Sequence, residues 1–261
     1  IALKGEYFDG HQYISVAEKN GASSLIVDSE VVHTKPFIRV EDTRKAMGLL
    51  AKSWREKITI PLIAITGSNG KTTVKEMVTS ILSTVSNVHA TSGNLNNDIG
   101  VPKTLFGLNK KHNYAVIEMG ANHLGEIEWL SKISSPNIAV ITQCAPAHLE
   151  GFKNVESIAK AKAEIFSGLQ TSGTAIINAD DIYFDFWKNS CKEINQLTFG
   201  IKTKNADVRA ENIKLSMDDL LINFTLISTR GSVEICLPML GEHNVMNALA
   251  ATSCCLSLDI S

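Results

Sequence analysis

The chain has 261 residues, with 25 Lys and Arg against 27 Asp and Glu, a formal net charge of −2, 44% hydrophobic residues and 20% charged. That balance excludes a disordered, collagen-like or low-complexity chain and gives no electrostatic footprint for nucleic acid; it suits one large domain or two modest ones. No apolar run reaches the roughly 18 residues of a membrane span, and residues 1–10 lack both the basic start and the apolar stretch of a signal peptide. The 5 cysteines (Cys144, Cys191, Cys236, Cys254, Cys255) form no C-x-x-C and read as reduced, packing thiols of a cytoplasmic protein.

In chain order, IALKGEYFDG (1–10) reads as a strand already under way. With no Met at its start and an abrupt stop at Ser261, the chain is expected to be a piece of something longer. SLIV (24–27) and FIRV (37–40) read as short buried strands, and 42–57 as a helix with Ala46, Leu49, Leu50 and Trp54 at helical spacing. Residues 57–61 read as a linker. The pattern then alternates: a strand at 61–66, a helix at 71–85 with Val74, Met77, Val78, Ile81, Leu82 and Val85 on one side, and strands at 115–118, 137–142 and 174–178 with a helix at 155–169. Such alternation predicts an α/β fold, a mostly parallel sheet covered on both faces. A β-rich section follows at 197–237, with 220–227 and 232–237 as antiparallel strands, and 244–258 closes the chain as an apolar helix.

The sharpest local signal is TGSNGKTT (66–73), between a buried strand and an amphipathic helix. Gly67 and Gly70 allow a tight turn, and the amides of Ser68, Asn69 and the helix start can face an anion. Lys71 can reach β/γ-phosphates and the Thr72 hydroxyl can ligate Mg²⁺. The full phosphate-loop pattern is not met, because Ile65 stands at its first Gly position, and the stretch also reads as an ordinary helix start. Glu118 ends a predicted strand where a parallel sheet binds ligands; by itself it equally reads as a solvated strand end. Asn94, Asn96 and Asn97 in the 93–98 loop offer neutral amides to a polar substrate, and also fit a plain turn. Asn244 fits a helix N-cap as well as a ligand contact.

GSNGKTT, GNLNNDIGVP (93–102), VIEMGANHLGEIEWL (116–130), APAHLEGF (145–152), AKAKAEIF (159–166), NADD (178–181) and LGEHNVMNALAA (240–251) together resemble the Mur ligase family, ATP-dependent amide ligases of peptidoglycan synthesis. EMGANHLGEI and AHLEGF look like the member that joins D-alanyl-D-alanine to UDP-N-acetylmuramoyl-tripeptide, and the opening 28 residues look like its uridine-nucleotide domain. The resemblance implies three domains. Residues 1–57 would be a UDP-sugar-binding domain truncated at its start, 58–261 the central ATP-binding domain, and the C-terminal domain would be missing, leaving the piece incomplete for turnover.

It further implies ATP and Mg²⁺ as cofactors, an acyl-phosphate route, a bacterial cytoplasmic monomer, and no membrane or nucleic-acid partner. Residue by residue, Thr66–Thr73 would hold the nucleotide, with Lys71 neutralising phosphate charge; His243 and Asn247 would contact adenine. Thr72 and Glu118 would hold one Mg²⁺ and His148 a second, although imidazole on Mg²⁺ is chemically unusual. Lys162 matches the lysine that CO₂ carbamylates, while Lys160, two residues away, must face another side of the helix. Gln143 stands where the family commonly has Asn, which puts a base contact there in doubt. A folylpolyglutamate-synthase-like or cyanophycin-synthetase-like ligase and a P-loop regulatory ATPase are the alternatives.

Overall fold

The computed structural model describes residues 1–30, 35–146, 152 and 154–260. In chain order the elements are α1 (Ile14–Lys19), β1 (Leu25–Val27), β2 (Phe37–Arg39), α2 (Thr43–Glu56), β3 (Leu62–Thr66), α3 (Lys71–Ser83), β4 (Val88–Ala90), α4 (Gly100–Phe106), β5 (Tyr114–Glu118) and α5 (Glu126–Ser134). They continue with β6 (Ile138–Ile141), α6 (Val155–Ala163), β7 (Thr174–Asn178), α7 (Phe184–Ser190), β8 (Asn195–Gly200), β9 (Val208–Ser216), β10 (Leu221–Ser228), β11 (Gly231–Leu237) and α8 (Glu242–Leu256). Among the described residues β1 and β2 pair in parallel, and a second sheet has the order β11-β10-β9-β8-β7-β6-β3-β5-β4. Pairing is parallel from β4 to β9 and antiparallel only across β9, β10 and β11. The expected α/β class, a parallel sheet with an antiparallel addition, holds.

The strand pleat sorts each apolar run onto two faces. Leu62, Ala64, Ile117, Ala139, Ile141 and Ile177 share one buried cluster with residues of α2, α4 and α5, among them Ala51, Leu105 and Leu130. Ile63, Ile65, Val116, Val140 and Ile176 share the other with Val74, Val78 and Leu82 of α3 and Val245 and Leu249 of α8. Phe224 and Leu226 of β10 join this second cluster, so the antiparallel strands extend its apolar cover. A small separate cluster of Ala2, Ile14, Leu25 and Val27 supports the β1–β2 pair.

Several sequence expectations need correction. Residues 1–10 form no strand: Lys4 and Asp9 make an isolated bridge, and the chain passes into a 3-10 turn at Gly10–Tyr13. β2 is exposed at every position, with β1 its one sheet partner among the described residues. On α2 the buried residues are Thr43, Met47, Gly48, Ala51 and Arg55, while Leu49, Leu50 and Trp54 are exposed. The apolar residues chosen by spacing sit on the wrong side because Arg55 is buried: its guanidinium donates to the carbonyls of Ser134, Ile58 and Ile60. Segment 57–61 is accordingly anchored, with Ile58 buried. The 155–169 helix stops at Ala163 and tightens into a 3-10 turn, Glu164–Gly168. α8 is capped by Gly241, and Asn244 lies inside the helix with its amide donating to Leu240 O at 2.8 Å, so Asn244 is not the N-cap.

Candidate nucleotide and acyl-transfer site

The parallel strands deliver their carboxyl ends to one crevice, where the chain leaves β5 on one side of β3 and β6 on the other. The loop 67–70 fills it. Gly67 is buried, and a Cβ there would overlap the Thr142 hydroxyl; Gly70 has φ +80°, and a Cβ there would run into the Asn247 amide. The loop is tied down from the β6 end. Thr142 Oγ1 donates to Asn69 O at 2.6 Å, Ser68 N donates to Gln143 O at 2.9 Å, and Ser68 Oγ donates to Ala145 O at 2.9 Å. Thr66 is buried, its hydroxyl donating to Met119 O at 2.9 Å, and Thr73 follows half-buried on α3.

Lys71 opens α3 and folds back, its ammonium donating to Gly67 O at 2.8 Å. Burial pushes its pKa down and Glu118 pulls it back up. Glu118 is 3% exposed, and each of its oxygens is engaged: Thr72 Oγ1 donates to Oε2 at 2.9 Å, and Asn96 Nδ2 to Oε1 at 2.8 Å. The solvated strand-end reading of Glu118 therefore fails. A hydroxyl beside a carboxylate is an all-oxygen donor set suited to a hard divalent cation.

Beyond Glu118 opens a pocket of about 560 Å³ lined by Lys71, Asn94, Asn96, Asn97, Asp98, the 120–126 loop, Trp129 and Lys162. The helix separates the two lysines: Lys160 pairs with Glu156 at 2.7 Å on the surface, whereas Lys162 is buried. Burial, then the nearby Lys71, push the Lys162 pKa down to about 8. Asn97 also serves the turn, its Oδ1 accepting from Gly100 N at 2.9 Å. On the other side of the loop, Asn69, Gly70, Thr142, Gln143, His243, Met246 and Asn247 line a pocket of about 310 Å³. His148 lies outside the described residues.

Several contributors went unseen in the sequence. Thr142 was legible only as a strand's last residue. Lys75, a buried cation on the apolar side of α3, donates to Thr91 O at 3.0 Å, and Thr91 Oγ1 accepts from Glu118 N at 3.0 Å, so this pair holds the Glu118 backbone. Arg44 bridges Asp98 at 2.7 Å and donates to Lys4 O at 2.9 Å. Asp181, in NADD, accepts from Cys144 N at 2.7 Å and so orders the chain just after β6.

Residues 65–255 match the profile of the Mur ligase middle domain. The chain belongs to the Mur ligase family. Two curated relatives are UDP-N-acetylmuramoyl-tripeptide–D-alanyl-D-alanine ligases, from Haemophilus influenzae (49% identical, covering 99% of this chain and 56% of that protein) and Escherichia coli (44%, covering 99% and 57%). A crystal structure of MurF from Acinetobacter baumannii superposes with a TM-score of 0.94 at 41% identity, covering 100% of this chain and 56% of that one. MurF ligase from Thermotoga maritima in complex with ADP gives a TM-score of 0.88 at 27% identity, covering 100% and 60%. This Mur ligase chain thus spans a little over half the length of the relatives it matches.

Proposed function

We propose that this chain carries the phosphate and metal machinery of a bacterial, cytoplasmic, ADP-forming ligase that joins D-alanyl-D-alanine to UDP-N-acetylmuramoyl-tripeptide. The observation that carries this is the convergence of Lys71, Thr72, Glu118, Asn96 and Lys162 at the carboxyl edge of a parallel sheet. The names of the relatives supply the substrates. We assign residues 1–57 to a uridine-nucleotide unit and 58–261 to the ATP-binding unit.

In this scheme the loop amides and the α3 N-terminus receive the phosphates of ATP. Lys71, now spending a hydrogen bond on its own loop carbonyl, transfers it to phosphate oxygen. Thr72 and Glu118 would hold Mg²⁺, with His148 assigned to a second ion, and the metal would supply charge neutralisation when bound. His243 and Asn247 face the adenine from their pocket beside Gly70. The substrate carboxylate takes the γ-phosphoryl group, and the amine of D-alanyl-D-alanine attacks the acyl phosphate, expelling phosphate. Asn94, Asn96 and Asn97 bind and orient the acyl substrate.

Lys162 is suited to carbamylation because the reaction with CO₂ needs a neutral amine, and its lowered pKa raises that fraction near neutrality. The resulting anion would also replace a like-charge neighbour of Lys71 with an opposite one.

Phosphate release by the full-length protein tests the scheme. It should require ATP, UDP-N-acetylmuramoyl-tripeptide and D-alanyl-D-alanine together, and Lys71→Ala should lower it by at least about a hundredfold, as expected for losing a charge-stabilising group. Hydrolysis without acceptor would instead indicate a regulatory ATPase, and turnover with a folate acceptor a folylpolyglutamate-type ligase.

A further inference from the structure

AKAKAEIF brings Lys162 to the pocket, and two residues later comes Glu164, which no step above uses. Glu164 opens the 3-10 turn and reaches α5 instead of the pocket. Its Oε1 accepts from Gly125 N at 2.7 Å and its Oε2 from Glu128 N at 3.2 Å. Helix α5 has no capping side chain of its own, because Gly125 stands at its N-cap. A carboxylate from a distant segment takes that role, where unpaired amides and the helix dipole favour negative charge.

The cap matters because of what precedes α5. Loop 120–125 forms one wall of the 560 Å³ pocket and is pinned at both ends. At its start Gly120 N donates to Asn96 O at 2.8 Å, which joins it to the Asn-rich segment. At its finish Glu164 joins it to the segment that carries Lys162. Between the pins, Asn122 N donates to Glu126 Oε2 at 2.7 Å, so the span is folded on itself rather than extended. The turn and α5 are also in close contact, with Ser131 Oγ donating to Ile165 O at 2.5 Å. The Glu164 carboxylate is therefore the tie that joins the end of the loop itself to the segment carrying Lys162, beside the packing of the turn on α5.

We propose that Glu164 is a positioning residue for the acyl substrate, holding loop 120–125 across the pocket from Lys162. This rests on reading the pocket as the acyl-substrate site of a ligase. The pocket assigned to adenine, on the opposite side of the phosphate loop, includes no residue of loop 120–125.

The test compares Glu164→Ala and Glu164→Gln with wild type in the full-length protein. Glu164→Ala should raise KM for UDP-N-acetylmuramoyl-tripeptide about tenfold, the value of one charge-assisted contact, and leave KM for ATP within about twofold. Glu164→Gln, which keeps an acceptor oxygen, should restore most of the loss. Hydrogen exchange across 120–128 should quicken in Glu164→Ala while exchange in β3 and α3 stays as in wild type. That readout needs no turnover, so it decides the proposal even if wild type uses a different acyl substrate and the ligase reading fails. Unchanged exchange in the loop, or equal rises in both KM values, would overturn the positioning role. Should Glu164→Ala fail to fold, Glu164→Gln carries the same test with a rise of about threefold, and wild-type exchange and KM values in it would count against the proposal.

Discussion

At the scale of single residues, the site depends on groups whose environment alters ordinary side-chain behaviour. Lys162 is the clearest case: burial pushes its pKa from the ordinary 10.5 down to about 8, which makes a stability prediction. Below pH 8 the folded state must hold a buried, disfavoured ammonium; between about 8 and 10.5 the unfolded chain keeps the proton that the folded one has released, so stability rises with pH. In CO₂-free buffer, Lys162→Met should therefore be more stable than wild type at pH 7.5. The gap should narrow by up to about 3 kcal/mol towards pH 10.5, measured by urea unfolding of both proteins at each pH. A gap that stays constant would mean that Lys162 is not desolvated. The sequence identified Lys162 through AKAKAEIF, and helix geometry alone required Lys160 and Lys162 to differ. Which lysine is buried was decided by the elements packed around α6.

At the scale of elements, β3, β5, β6 and β7 were legible because a continuous apolar run has few other uses, and α3 because its stripe is regular; β4 was not, and the strand expected at 1–10 is absent. α2 was misread for a physical reason. Its buried side accepts a glycine and an arginine, and neither has an apolar signature. Gly48 is there because Trp129 of α5 lies against the helix backbone, and a Cβ at residue 48 would overlap the indole. Trp129 also lines the 560 Å³ pocket, so this packing reaches the candidate site. Two effects compete in Gly48→Ala: helix propensity gains up to about 1 kcal/mol, and overpacking costs about 1–3 kcal/mol. The second should win, giving a net loss of about 1–2 kcal/mol in chemical denaturation and a shifted tryptophan emission. A more stable protein with unchanged emission would show that α2 can move away at no cost.

At the scale of the whole molecule, Arg44 connects the opening residues to the pocket rim through Lys4 O and Asp98. The ion pair is 39% exposed on each side, so it should contribute under about 1 kcal/mol to global stability. Arg44→Ala should leave the unfolding midpoint nearly unchanged while hydrogen exchange near residues 3–5 quickens; a large drop in midpoint would instead make Arg44 a structural keystone. The α/β alternation, the phosphate loop with Lys71 and Thr72, and the Mur ligase resemblance could all be read from the chain, because each depends on short-range order: a run, a turn or a motif of adjacent residues. The engagement of Glu118 by Thr72 and Asn96, the burial of Lys162 in place of Lys160, the buried side of α2 and the capping of α5 by Glu164 could not. The contacts behind them join residues 22 to 79 positions apart, and only the folded sheet, by burying its carboxyl edge, determines which of the many polar groups there must find one another.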